Sequence, residues 1–400
     1  MTYALTHPRS RDSSTLARRR YRDHPAYSAP VPPVLRARIP VPGMPSEVPV
    51  GAAGALRVDY ARLFARAEAG GAPALFMAPM ENLGDWRLRR ALTFSIGGMD
   101  EMCTEFVRVP CEVTGPASGM ARSLSRRYVW NELVGPGEAW GSCGMASSSD
   151  GARADAIPTT PAPADGSCTP LAVQIMGGDP FMLGTVAAAM VARGAPRVDL
   201  NCGCPSNIVT GKGAGSSLLL EPDRLHACVR AMVEAVRGRV PVTVKMRAGF
   251  TDTGLFLDNA RAAEAGGVAF VAVHPRTKVQ GYRGRADWSL IRAAREALSI
   301  PVIGNGDVVT PERARELVDA TGCQGIMVGR GAVQDPLLFW RIRAEFGETG
   351  PGQGPGGVDL NDEVEAVKGF LRAYLREVSH DGFDAEGKQE HVRGKVRVAW

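Results

Sequence analysis

At 400 residues and 44% hydrophobic content, the chain has enough apolar material for one large core or two medium ones. It has no run of 18 apolar residues and no apolar secretory core at its start, and its eight cysteines are scattered, so the expectation is a cytoplasmic protein with no membrane partner and no disulfide framework. The formal charge of +5 is modest, but it is unevenly spread.

Residues 1–42 hold eight arginines against two acids, Asp12 and Asp23, and are rich in proline. The stretch 1–72 therefore reads as a basic, disordered extension, with contact to nucleic acid or organelle targeting as open alternatives. From 73 to 346 short β-branched runs alternate with amphipathic stretches. Strands are expected at 74–78, 101–107, 171–176, 197–200, 242–246, 270–274, 301–303 and 325–328. Helices are expected at 181–193, 222–236, 255–265, 288–298 and 311–321, with Pro or Asp near several starts and Gly near several ends. Eight such units close a (β/α)8 TIM barrel, an α/β fold. Residues 135–170 interrupt the rhythm as a Gly/Ser/Ala/Pro-rich flexible insertion, and the glycine-rich stretch 347–360 reads as a linker. Beyond it, Val364, Val367, Phe370, Leu371, Tyr374, Leu375 and Val378 have helical spacing, so 361–400 reads as a partial helical domain that is cut short.

In such a barrel the carboxyl ends of the strands carry the chemistry, and here they are polar. The first ends in Ala78-Pro79-Met80-Glu81; the third carries Gln174, the fourth Asn201 and Cys204, the fifth Lys245 and Arg247, the sixth His274 and Arg276. The last two end in Gly304-Asn305-Gly306-Asp307 and Gly329-Arg330-Gly331, glycine pairs placed where barrels bind phosphate through backbone amides, which implies a mononucleotide cofactor. A thiol at a strand end beside Lys212, as in Asn201-Cys202-Gly203-Cys204-Pro205, can exchange a proton with a substrate; the alternative is a structural thiol. Cys202 and Cys204 are the only close cysteine pair, but no second pair stands at zinc-ligand spacing, so no metal is expected. Lys245 lies inside an apolar strand and needs an anion, either a cofactor or a nearby acid. The basic loop 276–285 joins Arg276, Lys278, Arg283 and Arg285 to Tyr282, a pattern suited to RNA; a solvated loop is its bland reading.

Taken together, Ala78-Pro79-Met80-Glu81, Thr104-Glu105-Phe106-Val107-Arg108-Val109, Asp199-Leu200-Asn201-Cys202-Gly203-Cys204-Pro205-Ser206, Arg276-Thr277-Lys278 with Gln280-Gly281-Tyr282-Arg283, and Gly329-Arg330-Gly331-Ala332 resemble the tRNA-dihydrouridine synthase family, nearest the subgroup acting on uridine 16. The resemblance implies FMN held by Pro79, Met80, Glu81, Gln174, Asn201 and Lys245, with His274 nearby and phosphate contacts from Asn305, Gly306, Asp307, Gly329 and Arg330. It implies Cys204 as the general acid, NADPH as reductant, and tRNA as the partner, met by Lys212, Arg276, Lys278, Tyr282, Arg283 and Arg285 on what is expected to be a monomer. Pro275 stands where the family has glycine, and the arm, the insertion and the short helical domain depart from its compact members. Two other readings compete: an FMN barrel acting on free pyrimidines, and a tRNA-binding module without catalysis. The basic loop and the helical appendage weigh against the first.

Overall fold

The computed structural model describes residues 58–81, 83–111, 116–125, 169–205, 213–348 and 361–379. The arm, Lys212, nearly all of the insertion, most of the linker and the chain beyond 379 lie outside the described residues.

Nine parallel strands are described: β1 (Ala74–Met77), β2 (Glu101–Cys103), β3 (Val107–Arg108), β4 (Leu171–Met176), β5 (Val198–Cys202), β6 (Val242–Gly249), β7 (Val271–Thr277), β8 (Val302–Asn305) and β9 (Gly325–Val328). β2 pairs with β4 and β9 returns to pair with β1, so β1, β2 and β4 to β9 close into an eight-stranded barrel. The single strand expected over 101–107 is in fact two. Thr104 turns its hydroxyl to accept from Gln174 N–H at 3.1 Å, which interrupts the ladder, and β3 pairs with β4 further along.

Described helices occupy the gaps: α1 (Tyr60–Glu68), α2 (Trp86–Ser95), α3 (Ala117–Ser125), α4 (Pro180–Ala192), α5 (Pro222–Val236), α6 (Phe256–Ala265), α7 (Trp288–Ala297), α8 (Pro311–Thr321), the short α9 (Gly331–Gln334), α10 (Leu338–Glu345) and α11 (Glu363–Ser379). Their starts follow capping chemistry. Asp85, Asp179 and Thr310 each accept a backbone N–H from the first turn, and Pro180 and Pro311 stand where a missing N–H costs nothing. α11 packs on α2 through Ala366, Phe370 and Tyr374. The extension assigned to 1–72 ends earlier than expected, because Tyr60–Glu68 is helical. Arg62 and Arg66 give it the composition of the basic arm, but Asp59 caps it and Phe64 turns inward.

Because side chains alternate along a strand, one set fills the barrel and the other meets the helices. The outer set, with Leu75, Val173, Leu200, Cys202, Val244 and Val273, joins the helices in a continuous apolar layer. The inner set divides in two. On β7, β8, β9 and β1 its amino-terminal part is apolar, with Ala272, Ile303, Met327, Ala74 and Phe76 packing with Phe270, just before β7, and with Phe64 of α1, while His274 and Asn305 continue it towards the mouth. Phe270 lies 5.4 to 5.6 Å, centroid to centroid, from Tyr60, Phe64 and Phe76, so α1 plugs the amino-terminal end of the barrel. Gly325 makes room for this cluster, since a Cβ there would fall 2.7 Å from Ile303 and 3.2 Å from Phe76. On β2, β4, β5 and β6 the inner set is polar: Glu101, Gln174, Asp199, Asn201, Thr243 and Lys245, joined by Arg197 at the foot of β5.

Candidate active site

Arg197 is the largest fully buried side chain among the described residues and pairs with Glu101 at 2.6 Å and Asp199 at 3.3 Å. Burial works against its charge, but the Glu101 carboxylate, Tyr60 and Asp199 outweigh it and hold its pKa well above the usual value. Above this pair, Gln174 donates to Asp199 and accepts from Asn201, each at 2.7 Å, and so the polar face climbs towards the carboxyl-terminal mouth.

At the mouth Asn201 Oδ1 accepts from the peptide N–H groups of Gly203 and Cys204, while Ser216 donates its hydroxyl to the Cys204 carbonyl at 2.9 Å. The Cys204 peptide is thus held from both sides, and its side chain lies buried among Met176, Ala214 and Phe106. Cys202 faces the other way, into the outer apolar layer, where burial raises its thiol well above the usual range. The two thiols of the pentapeptide therefore share no site, and among the described residues no three His, Cys, Asp or Glu side chains gather as metal ligands.

Lys245 stands beside Asn201 in the barrel register, its side chain within the mouth. Burial and the nearby Arg247 lower its amine to about 8, and it makes no ion pair among the described residues. His274, beside Arg247 in register, is pushed down to about 2 by burial and by Lys245, Arg247, Arg276 and Arg330. It is a neutral imidazole. Arg276 can only donate, and Nη1 reaches His274 Nε2 at 3.3 Å, so the ring proton sits on Nδ1. Arg247 braces the mouth by donating to the carbonyls of Gly203, Thr277 and Gly281.

The remaining expected residues separate into three groups. Pro79, Met80 and Glu81 turn directly out of β1, with Met80 beside Gly329 and Glu81 paired to Arg108 at 3.0 Å. Asn305 donates to the Met327 carbonyl, and Gly306 adopts φ 130°, which requires glycine. Asp307 turns its carboxylate to Arg276 and to the peptide N–H of Ala286, so its side chain is committed to the protein. Arg330 is exposed, 4.5 Å above the Tyr282 ring, with no carboxylate partner among the described residues. Of the basic loop, Tyr282, Arg283 and Arg285 are exposed and Lys278 is half-buried over Phe250. Arg276 departs from its expected place on the rim. It is buried beneath it, because Asp307, Gly284 and His274 draw its guanidinium inward. Glu101, Arg197, Asp199, Thr243 and Ser216 escaped the sequence reading as site residues, whereas Arg247 was expected at its strand end. The alternation Arg197, Asp199, Asn201 among Val198, Leu200 and Cys202 carried the signal for Arg197 and Asp199.

A closed parallel barrel with helices between its strands and polar side chains gathered towards the carboxyl-terminal mouth defines a (β/α)8 barrel. The family profile described as Dihydrouridine synthase (Dus) matches residues 137–367. The chain is 38% identical over 268 residues to the tRNA-dihydrouridine(16) synthase of Pseudomonas syringae pv. tomato, covering 67% of this chain and 74% of that protein. It is 36% identical over 324 residues to the protein of the same name from Ralstonia nicotianae, covering 81% and 85%, and 37% identical over 269 residues to that of Cupriavidus necator, covering 67% and 73%. The chain belongs to the dihydrouridine synthase family, whose enzymes are flavoproteins and oxidoreductases acting on CH–CH bonds.

Proposed function

We propose that this protein reduces the C5–C6 double bond of a uridine in the D-loop of tRNA, at position 16, with FMN as cofactor and NADPH as reductant. The observation that carries the reading is the placement of Cys204 at the barrel mouth, its peptide held by Asn201 and Ser216, on the same rim as Lys245 and Arg330, cations with no carboxylate partner among the described residues.

The residues present fit FMN. Lys245 is a half-buried amine with no ion-pair partner among the described residues, suited to the flavin pyrimidine edge, which becomes anionic on reduction; Gly306 and Gly329 bring backbone close to where a phosphate would lie, with Arg330 placed to pair with it. Pro79, Met80, Glu81, Gln174, Asn201 and His274 line the same mouth, and Asn305 and Asp307 shape the turn rather than offer side chains, since both are bonded within the protein. Bound FMN would supply to C6 of the uracil a hydride taken from NADPH. Cys204 then gives its proton to C5, so that the double bond gains one hydride and one proton and charge is balanced. His274, with its ring held neutral and its Nε2 already met by Arg276, has its Nδ1–H left to donate one hydrogen bond. Tyr282, Arg283, Arg285 and Lys278 face outward around this mouth and suit the flanking nucleotides: cations for phosphates and an aromatic face for a base. Mapping dihydrouridine by mass spectrometry in tRNA from cells with and without this protein tests the proposal; unchanged dihydrouridine at position 16 would sink it.

A further inference from the structure

Inside the polar half of the barrel, hydrogen bonds run in one direction from a buried ion pair to the Cys204 peptide. Asp199 Oδ1 accepts from Arg197 Nη1 at 3.3 Å and from Thr243 Oγ1 at 2.5 Å, and its Oδ2 accepts from Gln174 Nε2 at 2.7 Å. Gln174 Oε1 accepts from Asn201 Nδ2 at 2.7 Å, and Asn201 Oδ1 accepts from Gly203 N at 3.0 Å and Cys204 N at 2.9 Å. Asp199, Gln174, Asn201 and Cys204 are all buried, so water offers no substitute partners.

A primary amide can turn end for end with little change of shape, so packing does not choose between the two orientations of Gln174 or of Asn201. The ends of the chain choose. A carboxylate only accepts, so Gln174 must show Asp199 its NH2 group and Asn201 its oxygen. Asn201 must then meet Gln174 with NH2, which leaves its oxygen for the two peptide N–H groups. We propose that Asp199 is a positioning residue: its carboxylate sets the direction of both amides, and through them holds the Cys204 peptide in place.

Asp199→Asn keeps the shape and reverses the logic. Arg197 and Thr243 still need an acceptor and retain the new amide oxygen, so the NH2 group faces Gln174. Gln174 and Asn201 turn in sequence, and the Asn201 NH2 then confronts two peptide N–H donors. In the full chain with 15N-labelled cysteine, the Cys204 amide, assigned by its loss in Cys204→Ser, should exchange with solvent on the order of tenfold faster. Cys228, in α5 and outside the chain of bonds, should not change. Asp199→Asn with Gln174→Glu puts the carboxylate one link along, where it accepts from the new amide at position 199 and from Asn201 alike, and protection at Cys204 should return. Should Asp199→Asn not fold, Gln174→Met keeps Asp199 on Arg197 and Thr243 while freeing Asn201, and should quicken Cys204 alone. Unchanged exchange at Cys204, equal acceleration at Cys228, or no recovery in the double variant overturns the proposal. The benefit to catalysis rests on Cys204 as the acid, but amide exchange does not, so normal turnover in a variant with a loosened Cys204 would fault the proposed function and leave the positioning intact.

Discussion

The inner faces of the barrel's two halves do different work. On β7, β8, β9 and β1, Ala272, Ile303, Met327, Ala74 and Phe76 form with Phe270 and Phe64 a cluster whose members need only fill space. On β2, β4, β5 and β6, Glu101, Gln174, Asp199, Asn201 and Thr243, with Arg197, must satisfy donors and acceptors in a buried volume, where each wrong pairing leaves a polar group unmet. Apolar packing tolerates substitution in proportion to volume, whereas a directional network answers to the identity of single atoms. The halves meet where the Arg197 guanidinium lies 5.2 Å from the Phe270 ring centroid. The apolar half secures the barrel, and the polar half transmits a fixed geometry to the mouth.

The sharpest break in this comparison comes at the top of the polar half. Cys204→Ala should retain FMN and fold normally yet lose turnover by roughly 10²–10⁴-fold, because protonation at C5 needs an acid and flavin binding does not. Cys202→Ala, in the outer layer, should stay active; the reverse pattern, seen in single-turnover assays, would reassign the acid. Next, Phe270→Ala should cost about 3–5 kcal/mol of stability through the cavity it leaves, read by denaturant titration. Arg197→Met should cost a similar amount, about 3–5 kcal/mol, by leaving Glu101 and Asp199 without their cation. Only Arg197→Met should also slow turnover of the folded fraction. Equal turnover in the two variants would show that the halves do not divide the work as described.

The strand and helix pattern and the mouth residues were legible in the sequence, whereas the buried ion pair of the polar half and the α1 plug of the apolar half were not, for reasons that lie in the residues. Strands 171–176 and 325–328 and helices 222–236 and 311–321 have the bounds read from the sequence, because their periodicity and their Pro and Gly ends are local signals. The mouth residues were legible too: Cys204 lies just beyond β5, and Lys245 and His274 are polar residues within otherwise apolar strand runs, although β6 and β7 continue past them to Gly249 and Thr277. Arg276 was misplaced because a basic loop does not reveal that Asp307, on the next strand's turn, pulls one arginine inward. The α1 plug was hidden by arginines that resemble the arm before it, and the Glu101, Arg197 and Asp199 assembly by separations of up to 96 residues between its partners.

A milder test concerns the cation between the halves and the cofactor. Lys245→Met should weaken FMN binding by roughly 1.5–3 kcal/mol, the usual worth of a hydrogen bond to a charged group. The sign of the pH effect follows from the lowered pKa. Without an anion the amine is charged below about 8 and neutral above it, so binding an anionic group must take up a proton at higher pH. FMN affinity in the wild type should therefore fall as pH rises through about 8. Flavin fluorescence titrations at several pH values should show that slope disappear in Lys245→Met; a slope that persists there would assign it to another group.

The smallest effect is expected furthest from the barrel interior, at the exposed rim. Arg283 donates to the carbonyls of Val279 and Gln280 in its own loop, and Arg285 is likewise exposed, so neither holds the fold. With Arg276 committed to Asp307, these two and Lys278 carry the loop's outward charge. The target uridine must leave its stack to reach Cys204, at a cost of a few kcal/mol that phosphate pairing helps to offset. Arg283→Glu with Arg285→Glu should raise the dissociation constant for tRNA, and the slope of log K against log salt should become shallower by about one unit for each phosphate no longer neutralised. Oxidation of NADPH by the bound flavin should be unchanged, because neither residue faces the interior. If tRNA affinity were indifferent both to salt and to this reversal, the rim would have no part in binding RNA, and the comparison would narrow to the barrel interior alone.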